Sequence, residues 1–294
     1  MRAEIERAVE LLRDGDVASV EQALGLLQNT VFSFSMRVCG HREDAEDTMQ
    51  EVLLKSLPHL PGFQSPRALL VWLYKVAKNR CLMSRRKSKF APAKELSLNE
   101  LMPDRIELKQ LSSDGRINPE SFAIRSEQAS RLREAVQKLP PQYRIVLVLR
   151  DMEGLTDDEV GEITGVRPGT VRVRLHRGRL FVRKELMRTW MAGSAKQDRT
   201  KRDAREETRP AHCKAMFAEL SDYLDEQLDD SLCEELERHM NGCAPCQAFV
   251  ATLEATIEQC RSAAGDLLPS KATRLREELM QKYQRLNAML HPSS

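Results

Sequence analysis

Cys213, His239, Cys243 and Cys246 could together bring three thiols and one imidazole to a single ion. Cys243 and Cys246 are separated only by Ala244 and Pro245, a tight knuckle, and His239 precedes Cys243 by about one helical turn. Three soft sulfurs and a nitrogen suit tetrahedral Zn2+, and complete ligation by protein makes such a site structural rather than catalytic. Twenty-five residues lie between Cys213 and His239, and His212 beside Cys213 is an alternative fourth donor. Cys233 and Cys260 are further thiols that could enter after oxidation.

A second chemistry is cationic. Lys78 to Lys89 holds six Lys+Arg and no acid, and Arg167 to Arg188 holds eight with one acid. Cys213 to His239 inverts this, with nine acids and two Lys+Arg. The overall charge of +2 conceals all three. Two basic patches and one acidic segment imply a polyanion partner and a module able to compete with it.

Helices must position these groups. Leu24, Leu27, Val31, Phe34 and Val38 recur at helical spacing until Gly40. Glu43 to Leu57 predicts an acidic-faced helix with Ala45, Met49, Val52 and Leu53 inward, and Pro58, Pro61 and Gly62 mark a loop. A helix from Pro66 then runs through Trp72, Leu73 and Val76 into the first basic cluster. Further on, Thr156 with Glu159 forms a capping box, Gly165 allows a tight turn, and Pro168 suits a first helical position. Two short helices so joined, the second basic, fit a DNA-reading helix-turn-helix. On that second helix Val171, Leu175 and Val182 are expected inside. Arg172, His176 and Arg177 are expected near base edges, and Thr170, Arg174 and Arg179 near phosphates. Val173, Leu180 and Phe181 are apolar where polar residues would suit DNA, which invites a protein partner.

The expected fold class is all-α. Its parts are helical domains at 1–90 and 128–190, linkers at 91–127 and 191–211, a small metal-held module at 212–262, and an amphipathic helix within 263–294 striped by Leu275, Leu279, Tyr283, Leu286 and Leu290. With 294 residues, 41% hydrophobic and 31% charged, the chain is long enough for several small cores. No run of 18 apolar residues predicts a membrane span, and the Arg/Glu-rich N-terminus is unlike a secretory signal. A cytoplasmic location follows as an expectation. Nucleotide-binding glycine loops and nucleophile motifs are missing, so no enzyme is expected.

The run His41-Arg-Glu-Asp-Ala-Glu-Asp-Thr-Met-Gln-Glu-Val52, followed by Trp72-Leu-Tyr-Lys-Val-Ala-Lys-Asn-Arg80, resembles region two of bacterial extracytoplasmic-function (ECF) sigma factors of the sigma-70 family. Leu139-Pro-Pro-Gln-Tyr-Arg-Ile-Val-Leu147 and Gly169-Thr-Val-Arg-Val-Arg-Leu-His-Arg177 resemble region four. The resemblance implies a factor that binds core RNA polymerase through Asp44, Asp47, Gln50 and Glu51 and directs it to promoter DNA. It implies capture of the −10 strand near Phe63, Asn79, Arg80, Arg85 and Arg86, and −35 binding by the second helix of the helix-turn-helix. This chain departs from the family pattern in having Met83 where Asp is common and Arg167 where Ser or Thr is common.

Cys213 through Cys246, with Leu220-Ser-Asp-Tyr-Leu-Asp-Glu-Gln-Leu228 between, resembles the zinc-containing anti-sigma domain. Such domains hold a sigma factor inactive, so the resemblance implies an intramolecular anti-sigma-like partner. Two other readings stay open from sequence: a conventional DNA-binding regulator, and a sigma-like sequestering module that does not initiate transcription. Oligomeric state is open as well.

Overall fold

Asp16 shows how closely local sequence sets the helix boundaries. Its carboxylate accepts from the Ser19 amide at 3.0 Å and caps the helix that follows, which ends at Gly40 in the left-handed region (φ 81°). The computed structural model describes residues 2–14, 16–63, 65–86, 95–103, 107, 126–194, 220–263, 268 and 272–290. Cys213, its alternative His212, and most of both expected linkers lie outside these residues. All the regular elements among the described residues are helical.

The chain divides into two compact units that cut across sequence order. One comprises Met1–Ala93, Val148–Arg167 and Ala264–Ser294. Its helices are α1 (Arg2–Asp14), α2 (Val17–Cys39), α3 (Arg42–Ser56), a 3-10 turn (Leu57–Gly62) and α4 (Pro66–Arg86). Leu24, Leu27, Val31 and Phe34 of α2 meet Val52 and Leu53 of α3 and Leu69 and Leu73 of α4 in a closed core. Phe34 and Tyr74 pack with ring centroids 4.7 Å apart. A disulfide joins Cys39 of α2 to Cys81 of α4, with Cα atoms 5.4 Å apart. This pairing departs from the sequence expectation, which favours metal or redox chemistry of the cysteines over disulfides; nothing in the spacing of Cys39 and Cys81, 42 positions apart, marks them as partners.

Region Val148–Met152 of the same unit is a π-helical turn, and the Glu153 amide donates to the Val148 carbonyl at 2.9 Å. The capping box forms: Glu159 donates its amide to Thr156 Oγ1, and the Thr156 amide donates to Glu159 Oε2 at 2.9 Å. The capped helix spans Asp157–Thr164 and stops at Gly165 (φ 76°). The last helix of this unit, Ala272–Leu290, turns Leu275, Leu279 and Met280 into the core and rests on α2, α3 and the 3-10 turn.

The second unit comprises Lys94–Leu147 and Pro168–Ala263. It contains α5 (Leu98–Leu101), α6 (Ser126–Lys138) and α7 (Pro141–Leu147); the capped helix Asp157–Thr164 of the first unit is α8 in chain order. The second unit continues with α9 (Pro168–Ser194), α10 (Asp230–Gly242) and α11 (Ala244–Arg261), and Ala272–Leu290 is then α12. Helix α9 is the axis of the second unit, packed by α6, α7 and α5 and by α11. Residues 220–224 add a further helical turn before α10.

Candidate functional site

The basic helix α9 starts at Pro168, as its sequence suggests, and buries Val171, Leu175 and Val182. The remaining sides are unequal. Thr170, Arg172 and Val173 are exposed, and Arg174 and Arg177 are half-buried. His176, Arg179 and Leu180 are buried instead, the first two against Ser221 and Asp225.

That contact is polar at its centre. The carboxylate of Asp225 takes both Arg179 Nη1 at 2.7 Å and Nη2 at 3.0 Å, a two-pronged ion pair whose side chains are 0% and 6% exposed. Arg261 Nη2 adds a third contact to Asp225 at 3.3 Å. His176 Nδ1 and Ser221 Oγ are 2.7 Å apart, and Arg172 Nη1 donates to Gln227 Oε1 at 3.3 Å. Farther along α9, the Arg183 guanidinium stacks on Phe249 with 3.7 Å to the ring centre. Its Nε donates to Thr252 Oγ1 at 2.7 Å, and Nη1 pairs with Glu107 at 3.3 Å. Burial pushes the Arg183 pKa down to about 10, with Glu107 opposing the shift, so the charge persists at neutral pH.

The metal-capable group sits where α10 meets α11. His239 comes from the last turn of α10, Cys243 from the junction, and Cys246 from the first turn of α11, where Pro245 suits the helix start. Their donor atoms lie within 4.8 Å of one another, with His239 Nε2 and Cys246 Sγ at 3.3 Å. An ion about 2.0–2.3 Å from each donor in tetrahedral geometry would set donors roughly 3.5 Å apart, so the three residues fit a soft divalent metal. Cys233 and Cys260 are outside this group and form no disulfide.

In the first unit, Asp47 and Gln50 of α3 are exposed, while Asp44 and Glu51 are half-buried. Glu51 accepts from Lys55 Nζ at 2.7 Å and pairs with Arg80 Nε at 2.8 Å, joining two residues expected to serve different partners. Asn79 is exposed on α4. Phe63 is half-buried and meets Trp72 edge-on, with ring centroids 5.9 Å apart, and the His59 ring lies 5.8 Å from that of the same Trp72. Arg85 and Arg86 close α4, and their side chains lie outside the described residues.

Sequence reasoning missed Asp225, Ser221, Phe249 and Arg183. The excess acid between Cys213 and His239 pointed to Asp225 only as one of nine candidates.

Similarity to known proteins covers both basic helices and the metal-capable group. The sigma-70 region 2 family matches residues 25–90, and the sigma-70 region 4 family matches 129–182. The ECF RNA polymerase sigma factor SigW of Bacillus subtilis is 28% identical over 187 residues, which is 63% of this chain and 98% of that protein. Both regional matches and this relative support an ECF sigma factor of the sigma-70 family. SigE of Mycolicibacterium smegmatis is 32% identical over 154 residues, covering 52% of this chain and 56% of that protein. The Escherichia coli ECF sigma-E factor is 27% identical over 179 residues, 58% of this chain and 88% of that protein. A zinc-finger family matches residues 213–247, a span that includes Cys213 and the three converging donors. This sigma factor is thus an alternative initiation factor for transcription, all-helical, with a zinc-finger segment after region 4. No helix among the described residues is long and apolar enough to cross a membrane.

Proposed function

We propose that this sigma factor carries its own inhibitor, and that residues 212–294 hold it away from promoters until a signal releases them. In the active state it would join core RNA polymerase through Asp44, Asp47, Gln50 and Glu51. It would engage the −10 strand with Phe63, Asn79, Arg80, Arg85 and Arg86. Helix α9 would take the −35 element through Thr170, Arg172, Arg174, His176, Arg177 and Arg179. The setting is the cytoplasm, where promoter DNA and polymerase are found.

One observation carries the inhibitory part: Arg179, a candidate phosphate ligand, is buried against Asp225. A carboxylate held by both guanidinium prongs satisfies the donors that a phosphate would take. Gln227 offers an oxygen to Arg172 in the same way, and Ser221 Oγ shares a hydrogen bond with His176 Nδ1. The segment therefore supplies acceptor oxygens along α9 in place of a nucleic-acid backbone. Because it is tethered, its effective concentration reaches the millimolar range for a short linker, so modest affinity suffices for closure.

Zn2+ held by His239, Cys243, Cys246 and Cys213 would fix the junction of α10 and α11, and through it the seat of Phe249 and Thr252 against Arg183. With four protein donors the metal is structural. Helix α12 would provide a second hold on region 2.

The test is reconstitution of core polymerase with the full chain and with a chain lacking residues 212–294, zinc being controlled. Promoter opening should rise on truncation. Equal or lower opening would remove the inhibitory role. Failure of both chains to bind polymerase would remove the sigma assignment to these residues.

A further inference from the structure

Glu153 is fully buried in the first unit and clamped from two sides. Arg37 Nη1 of α2 donates to Oε1 at 2.8 Å, and the Tyr74 hydroxyl of α4 donates to Oε2 at 2.6 Å. Burial raises the carboxyl's pKa, with Arg37 and Tyr74 opposing it. A buried ion pair gains little net stability over apolar packing, but removing either partner strands the other charge. Such a pair between residues 116 apart in sequence therefore selects one docking geometry rather than general adhesion.

The segment that Glu153 anchors then lies along α4. Arg67 Nη2 pairs with Glu162 at 3.0 Å and Nε approaches Glu159 at 3.7 Å. Lys78, the first cation of the basic cluster on α4, donates to the Ile163 carbonyl at 2.7 Å. A cation is favoured there, since the last carbonyls of α8 carry the negative end of its dipole. Helix α8 is the first helix of the helix-turn-helix, and α4 is the candidate −10 helix. In contact with each other, neither offers that surface to DNA.

We propose that residues 148–167 act as an internal cover on region 2, a second autoinhibitory contact that is independent of the C-terminal segment. It rests on the reading above that α4 and the helix-turn-helix serve promoter DNA. Glu153 is the anchor of the cover, and the pairs at Arg67 and Lys78 seat it. None of these groups belongs to residues 212–294, so release of that segment leaves this contact in place. Full activity then needs two events, and polymerase or DNA must supply the second by binding the separated form better.

The experiment uses the full chain carrying Asp225→Asn, which loosens the C-terminal contact at Arg179 while leaving every candidate DNA residue itself unsubstituted. Glu153→Gln and the exposed Glu162→Gln are added separately. The first reading is Lys78 acetylation by mass spectrometry, relative to exposed Lys75 on the same helix; the second is promoter opening with core polymerase. Glu162→Gln should raise both about two- to fivefold, the range that one exposed pair is worth. Glu153→Gln should raise both about tenfold or more, because Arg37 loses its charged partner in the interior. If Lys78 in the parent chain reacts as fast as Lys75, the cover is refuted. If Lys78 is released while promoter opening stays level or falls, the contact is structural only and the cover is refuted as an inhibitor. If Lys78 is released and no chain, Asp225→Asn alone included, opens a promoter, the sigma roles of these residues fail and the cover fails with them. Glu162→Gln keeps the test decisive should Glu153→Gln not fold.

Discussion

The C-terminal segment meets the sigma regions in two chemically different ways. Against α9 it uses charge: Asp225 on Arg179, and Phe249 with Thr252 on Arg183. Against α2 and α3 it uses an apolar stripe, with Leu275, Leu279 and Met280 of α12 buried. The polar contacts there are lateral: Gln28 Nε2 donates to the Ala272 carbonyl at 2.9 Å, and Arg276 Nε donates to Gln28 Oε1 at 2.9 Å. Gly25 leaves room beside it: a Cβ there would lie 3.3 Å from the Arg276 guanidinium carbon, close enough that the side chain would have to shift slightly. A contact built on arginines can be displaced by a polyanion, because phosphates satisfy the same donors. An apolar stripe has no such competitor. On the proposed reading the first is a lock that DNA would oppose, and the second a tether that salt would not loosen.

Metal removal should separate the two most strongly. Structural zinc contributes about 10 kcal/mol or more to small zinc modules, although packing of α11 on α9 will retain part of the structure here. Chelation, or His239→Ala, is expected to abolish amide-exchange protection across α10 while leaving α12 protected. Simultaneous loss of protection in α12 would show that lock and tether are one cooperative piece, and the contrast between them would disappear.

Next in size is Asp225→Ala. It leaves Arg179 buried without its carboxylate, and breaking a buried pair from one side costs about 3–5 kcal/mol. The variant should bind promoter DNA more tightly than the parent chain in anisotropy titrations, with the gain largest at low salt. Arg183→Met is the companion. It removes a buried charge yet keeps an apolar chain over Phe249, so closure should change by less than about 1.5 kcal/mol. A large effect of Arg183→Met would mean that charge, not packing, sustains the contact with α11.

The tether should respond to a cavity instead. Leu279 is 0% exposed, and a buried Leu→Ala change costs about 2–4 kcal/mol. Leu279→Ala should detach α12, read as faster exchange of its amides, with little effect of salt. Salt dependence equal to that of Asp225→Ala would erase the distinction.

These contacts also show what a sequence can and cannot reveal. The α9 start, the capping box at Thr156 and Glu159, and the His239/Cys243/Cys246 group depend on neighbours within a few residues, and each is legible from spacing. Leu180, apolar on a basic helix, is buried, in keeping with its type. His176 and Arg179 stand out in the sequence as candidate DNA ligands, but their burial is not legible, because it depends on residues 45 and 46 positions away. Arg37, Glu153 and Cys39–Cys81 are invisible for the same reason: no periodicity marks which of many arginines, acids or thiols will meet. The division into two units that interleave the sequence is likewise a property of long-range packing.

The smallest expected effect comes from a second Arg–acid pair, exposed where Arg179–Asp225 is buried. Arg80 and Glu51 are each 34% exposed at the side chain, so solvent screens them and the pair is worth well under about 1 kcal/mol. The bound ammonium of Lys55 holds the Glu51 carboxyl below its ordinary 4.5, with Arg80 adding to this against a slight burial effect. An acid with a depressed pKa stabilises its pairs fully above 4.5 and loses that contribution as pH falls through the lower folded value. At neutral pH the pair is therefore intact and occupies a candidate −10 cation with a candidate polymerase ligand. Glu51→Gln should free Arg80 and raise affinity for single-stranded −10 DNA by less than about fivefold. The same variant should weaken polymerase binding, since a charged contact is lost there. Opposite signs in anisotropy and polymerase-binding assays would mean that the two partners compete for one ion pair. Movement in the same direction would mean that Glu51 and Arg80 form one shared surface, and burial alone would no longer explain why one pair locks and the other yields.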